Sequence, residues 1–228
     1  MTTKLRWTVL NDADAVARAA CDRIVEAAEN VIAGRDTFSL VLAGGRTPER
    51  AYRLLAETDQ QWSRWQLYFG DERCLPADHP QRNSAMAARA LTDRMPISPQ
   101  QVHPIPAELG AEEAAQIYAR EIEPALPFDL VLLGLGEDGH TASLFPGRIH
   151  PEKEIVVPVH SAPKPPPDRV SLNTGTLGQC RRLLFLVTGE SKRDAVRRWQ
   201  SGEDIPAARI APEGIADVLL DQAAAGKE

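Results

Sequence analysis

Phe38-Ser39-Leu40-Val41-Leu42-Ala43-Gly44-Gly45-Arg46-Thr47-Pro48-Glu49 runs from an apolar segment through a double glycine into a helix-start signal. An apolar run without regular polar alternation is the pattern of a strand covered on both faces, as in parallel sheets. Gly44 and Gly45 permit a tight turn and a close approach of the backbone to a ligand. Thr47 suits a helix N-cap, Pro48 the first helical position and Glu49 the first turn. Strand, glycine turn and helix in that order form a βα unit. The free N–H groups at the positive end of such a helix favour an anion, and Arg46 adds a charge of the right sign. A Walker A loop is excluded, because it requires four residues between its glycines and then Lys-Ser/Thr.

Similar apolar runs occur at 65–69, 129–133 and 183–188. Val16, Ala20, Ile24, Ala27 and Val31 recur at spacings of four and three, which predicts an amphipathic helix over 12–33. Further helices are predicted over 48–57, 83–92, 112–122, 192–200 and 212–223. Short strands alternating with helices predict an α/β protein with a mainly parallel sheet flanked by helices. The proline-rich segment 163–167 reads as an extended surface loop. Only about 60 residues follow it, too few for a second independent core, so residues 1–228 are read as a single domain.

The chain has 228 residues, 43% hydrophobic and 25% charged. This composition excludes collagen, coiled coil and wholesale disorder. The formal net charge of −6 argues against a nucleic-acid surface, which needs a basic face, but not against a local basic pocket. Cys21, Cys74 and Cys180 are odd in number and lack CxxC spacing. Neither a disulfide framework nor a cysteine metal site is expected, and a reducing compartment fits best. Residues 1–10 lack the apolar core of a signal peptide, and the longest apolar run, 128–135, is too short to span a bilayer. A soluble cytoplasmic protein is expected. No sustained heptads or large apolar surface run are evident, features that do not themselves set the oligomeric state; a monomer or weak homo-oligomer is expected.

Ligands of open α/β sheets bind beyond the carboxyl ends of the strands, so the segments after each run carry the functional signal. After 65–69 come Gly70-Asp71-Glu72-Arg73, three successive charges suited to a polar cleft. Arg73 is fit to grip a phosphate, and Asp71 or Glu72 to position a basic partner or a sugar hydroxyl. After 129–133 come Gly134-Leu135-Gly136-Glu137-Asp138-Gly139-His140-Thr141-Ala142-Ser143-Leu144-Phe145-Pro146-Gly147. The glycines match GxGxxG, but Phe145-Pro146-Gly147 breaks the chain where the dinucleotide fingerprint needs a helix. Glu152 and Glu154 precede the next run rather than ending it, so nicotinamide and flavin binding are rejected. What remains is a glycine loop presenting Asp138 and His140, and an imidazole suits proton transfer near neutrality. His79, His103, His150 and His160 have no comparable setting, no metal site is indicated, and Ser143 lacks the GxSxG elbow of a nucleophile. After 183–188, Ser191 and Asp194 resemble a capping box that starts a helix at Lys192. Lys192 and Arg193 then sit at the positive end of a helix dipole, a cost that a bound phosphate would reverse.

These motifs, in this order, closely resemble the 6-phosphogluconolactonase family. The resemblance extends to Arg169-Val170-Ser171 and to the tail Pro206-Ala207-Ala208-Arg209-Ile210. It implies a Rossmann-like, mainly parallel sheet flanked by helices, and cofactor-free hydrolysis of a phosphorylated sugar lactone in the oxidative pentose phosphate pathway. By resemblance, His140 looks like the general base and Asp138 its supporting acid. Arg73 and Lys192 look like the cations that hold phosphate or steady developing charge. Gly44, Gly45, Arg46, Thr47 and Asp71 look like parts of the substrate site, and Arg169 a further phosphate ligand. Three departures stand out: Ala43 where the family commonly has Ser, Arg82-Asn83-Ser84 where it has Ser-Asn-Tyr, and Ser171-Leu172-Asn173 where it has Thr-x-Thr. The related glucosamine-6-phosphate deaminases share Asp-Gly-His but end the loop differently from Ser143-Leu144-Phe145-Pro146. A non-enzymatic sugar-phosphate sensor would be expected to carry a DNA-binding module, for which the short N-terminal region leaves little room.

Overall fold

The computed structural model describes residues 5–212 and 214–226. In chain order its elements are β1 Leu5–Leu10, α1 Ala13–Ile32, β2 Phe38–Leu42, α2 Arg46–Leu55, β3 Trp65–Phe69, β4 Asp71–Arg73, α3 Asn83–Ala90, β5 Val102–His103 and α4 Ala111–Ile122. They continue with β6 Phe128–Gly134, β7 Val156–Val159, β8 Arg169–Leu172, α5 Thr174–Gly178, β9 Cys180–Val187, α6 Arg193–Gln200, β10 Ile215–Asp221 and α7 Gln222–Ala225. Short 3-10 turns link several of them.

Seven strands form one parallel sheet in the order β1-β10-β9-β6-β2-β3-β5. The remaining three form an antiparallel sheet, β4-β8-β7. The mainly parallel α/β architecture expected from the sequence is thus present. Phe38, Leu40, Phe128, Val131, Leu132 and Phe185 are all buried, as strands covered on both faces require. Helix α1 packs on α2 and across β9 and β10, while α4 packs on β7 and β8. One contiguous apolar core joins these layers. No helix among the described residues is long and apolar enough to cross a membrane.

The sheet order contains a topological switch. From β2 the chain moves outward to β3 and β5, then returns through β6 on the opposite flank. A crevice therefore opens beyond the carboxyl ends of β2 and β6, where open α/β sheets bind ligands.

Three local expectations are corrected. The helix expected over 212–223 is replaced at 215–221 by β10, which lies between β1 and β9, and of its described residues only the last two are helical, in α7. Ala216, Val218, Leu219 and Leu220 are all buried, and their spacing suits a fully buried strand as well as a helix. Helix α2 begins at Arg46 with Gly45 at its cap, not with Thr47. The Thr47 hydroxyl instead meets that of Thr188 at 2.6 Å, joining the first turn of α2 to the end of β9. Ser191 does not cap the helix after β9. A 3-10 turn, Glu190–Lys192, comes first and α6 starts at Arg193. The Gly189 N–H is held at 3.0 Å by both oxygens of Asp221.

Candidate active site

A cavity of about 280 Å3 lies in the crevice at the switch. Its walls come from Gly44 and Gly45 after β2, Asp71 and Arg73 of β4, Gly134 at the end of β6, and Gly136 and His140 after it, with Lys164 and Lys192 also lining it. Of the residues singled out in the sequence, His140, Arg73, Asp71, Gly44, Gly45 and Lys192 meet there.

Asp138 lies beside the cavity and holds the imidazole. His140 Nδ1 and Asp138 Oδ1 are 2.5 Å apart, and the His140 backbone N–H donates to the same oxygen at 3.1 Å. Burial pushes the Asp138 carboxyl up, but the hydrogen bonds and charge of His140 outweigh it and hold the group below its usual range. An ionised carboxylate can only accept, so Nδ1 carries the hydrogen and Nε2 keeps a lone pair. Burial lowers the His140 pKa, more than the Asp138 charge raises it. The ring is therefore neutral, and able to take a proton, at neutral pH. Its place depends on Gly136, where a Cβ would lie 2.0 Å from His140 Nδ1.

The opposite wall is built from β4, and strand alternation explains the three charges read in the sequence. Asp71 and Arg73 face the cavity, while the intervening Glu72 points away and is fully buried. Asp71 accepts from Ser143 Oγ at 2.6 Å and from Asn83 Nδ2 at 3.1 Å. Glu72 accepts from the Asn83 and Ser84 N–H groups at 2.7 and 2.8 Å and lies 3.4 Å from Arg82 Nε. It thereby satisfies the otherwise unpaired first amides of α3. Gly44 lies so close to Asn83 that a Cβ would sit 2.1 Å from Asn83 Oδ1. Arg73 donates from Nη1 to the Gln81 carbonyl, while its buried Nε has no partner among the described residues.

Lys192 lines the cavity with its pKa lowered, first by burial and partly restored by Glu137. Arg46 and Thr47 lie at the start of α2, outside the residues that line the cavity. Arg169 is also outside that lining. Its guanidinium donates to the carbonyls of Lys164, Pro165 and Pro166. Sequence reading missed Lys164, whose only signal was a lone charge within a proline run. It also missed Asn83 and Ser143 as the partners that orient Asp71. Among the described residues, no group of three or more His, Cys, Asp or Glu side chains is placed to hold a metal ion.

The parallel sheet thus holds, in its switch-point crevice, an aspartate-anchored histidine flanked by cations. The model of the family described as glucosamine-6-phosphate isomerases/6-phosphogluconolactonase matches residues 11–219, and the chain belongs to that family. Within it, the chain is 36% identical to the 6-phosphogluconolactonase of Mycobacterium leprae over 96% of both sequences. It is 35% identical to that of Homo sapiens, over 96% of this chain and 92% of the relative. The crystal structure of the 6-phosphogluconolactonase from Thermotoga maritima superposes with a TM-score of 0.89 at 30% identity, covering 96% of this chain and all of that one.

Proposed function

We propose that the chain hydrolyses 6-phospho-D-glucono-1,5-lactone to 6-phospho-D-gluconate, as a cytoplasmic monomer or weak homo-oligomer of the oxidative pentose phosphate pathway. The observation that carries this reading is the free Nε2 face of a neutral, Asp138-anchored imidazole in a cavity ringed by Arg73, Lys164 and Lys192. Nε2 takes a proton from water as the water oxygen attacks the lactone carbonyl. Arg73 and the N–H groups around Gly44 and Gly45 steady the negative charge that develops on the carbonyl oxygen. The tetrahedral intermediate collapses by breaking the bond to the ring oxygen, which takes the proton back from His140. A six-membered lactone is an activated ester, so this scheme calls for neither a covalent nucleophile nor a metal. The phosphate, held by Lys192, supplies binding energy remote from the reacting carbon and positions it.

The rival within the family is deamination of an amino-sugar phosphate, which needs an acidic side chain to abstract a C2 proton. The segment after His140 offers none, since Ser143 is fully buried and Leu144 and Phe145 are core residues, and Asp71, the aspartate that lines the cavity, is engaged by Ser143 Oγ and Asn83 Nδ2. The test supplies the phosphorylated lactone and glucosamine 6-phosphate in parallel. Accelerated lactone loss with formation of 6-phosphogluconate and no ammonia is expected. Ammonia release without lactone acceleration would overturn the reading.

A further inference from the structure

The segment before β8 forms a strap over the site. The Ala162 N–H donates to the Pro167 carbonyl at 2.8 Å and closes the strap on itself. Beneath it, Arg169 is 7% exposed. Its Nη2 donates to the carbonyls of Lys164 at 2.9 Å and Pro165 at 3.3 Å, and its Nε to that of Pro166 at 3.2 Å. The guanidinium carbon lies 5.7 Å from the centre of the Phe145 ring. One buried cation thus fixes three successive carbonyls. Between Ala162 and Pro167 the only charged side chain is Lys164. It lines the cavity, and its Nζ lies 3.1 Å from Glu137 Oε2 on the glycine loop.

A lysine delivered by so constrained a backbone, yet paired among the described residues only with an exposed carboxylate, suits an exchange of partners. Exposed pairs of this kind hold weakly, whereas a phosphate offers a greater charge and three strong acceptor oxygens. Resting on the lactonase reading, we infer that Lys164 is a specificity-determining cation that grips the substrate phosphate. Arg169 acts as the positioning residue that aims it, and Glu137 is the carboxylate that the phosphate displaces. Lys164 and Lys192 then approach the phosphate together, and the repulsion between them, part of what lowers the Lys192 pKa, is relieved when the dianion binds.

The test compares steady-state kinetics on the phosphorylated lactone and on unphosphorylated glucono-1,5-lactone. Lys164→Ala is expected to raise KM for the phosphorylated lactone by roughly 10- to 100-fold, the range for a lost hydrogen bond to a charged group. The change in kcat is expected to be small and the KM for the unphosphorylated lactone unaltered. Lys164→Arg should restore most of the loss, and Glu137→Gln should lower KM. Arg169→Lys should raise KM in the otherwise unchanged protein and add nothing to Lys164→Ala. An unchanged KM in Lys164→Ala, or an equal rise on both lactones, overturns the inference. A further KM rise when Arg169→Lys is added to Lys164→Ala overturns the positioning role and makes Arg169 a direct ligand. The two readings fail separately. If the unsubstituted protein does not hydrolyse the phosphorylated lactone, the lactonase reading falls, and calorimetric binding of 6-phosphogluconate decides on Lys164: weaker binding by Lys164→Ala supports it, and equal binding overturns it.

Discussion

The two ends of strand β6 each carry an aspartate, and the fold treats them in opposite ways. At the amino end, Asp129 is 3% exposed. It accepts from the Ser39 N–H at 2.9 Å, from the Ser39 hydroxyl at 3.1 Å and from Arg35, with Arg181 Nε 3.4 Å away. The effect of these contacts is to tie β6 to β2. Just past the carboxyl end, Asp138 has a single main companion, His140, and that contact leaves the far nitrogen of the ring uncommitted. The same residue type thus fastens the sheet at one edge and, in the proposed mechanism, prepares a base at the other. What separates them is how completely their partners are satisfied.

Substitutions at the two ends should therefore affect different observables. The largest expected effect is from His140→Ala, a fall in kcat of roughly 100-fold or more, the scale of general acid–base catalysis, with an unchanged denaturation midpoint. Near-normal turnover would remove His140 from the mechanism. Asp129→Ala should do the reverse, lowering stability by about 1–3 kcal/mol through the buried donors it abandons while leaving KM intact; urea unfolding and kinetics on one preparation check both. Lys192→Ala should raise KM roughly tenfold through a lost charge-assisted contact, and a fall in kcat alone would make the lysine a transition-state group instead. Asp138→Asn is read in a pH profile. The Asp138 charge raises the His140 pKa against the lowering by burial, so its removal should shift the acid limb of kcat/KM to lower pH, and a shift upward would contradict the pairing. The smallest effect is expected from Arg50→Ala, which breaks an exposed pair with Asp14 at 2.7 Å and should cost less than about 1 kcal/mol in thermal unfolding.

The strands that place the site were readable because they are continuous apolar runs. The observed β2, β3, β6 and β9 lie within a few residues of the segments 38–43, 65–69, 129–133 and 183–188. The segment of β10 misled because Ile215, Ala216, Val218, Leu219 and Leu220 fit helical spacing, and only its place between two neighbours makes it a strand. Strand β1 mixes half-buried and exposed positions at the sheet edge and gave no clear period. At the site, the glycine loops and the charges of β4 were legible as residues at strand ends. The direction of each side chain was not: the family resemblance offers Arg169 as a phosphate ligand, and only the folded chain turns it toward the strap carbonyls. Lys164 escaped notice for the complementary reason, since its importance comes from the backbone that presents it.

The short strand β4 pairs antiparallel with β8, with Asp71 opposite Ser171 and Arg73 opposite Arg169. Successive side chains of a strand face opposite ways, so a slip of one residue exchanges its faces. Such a slip here would send the Glu72 carboxylate into the cavity and drive Asp71 and Arg73 against α3. Mutational tolerance in this stretch should therefore be uneven in kind: single replacements would give graded losses, whereas inserting or deleting one residue would be all-or-none. Length, more than chemistry, is the inherited constraint on these three residues.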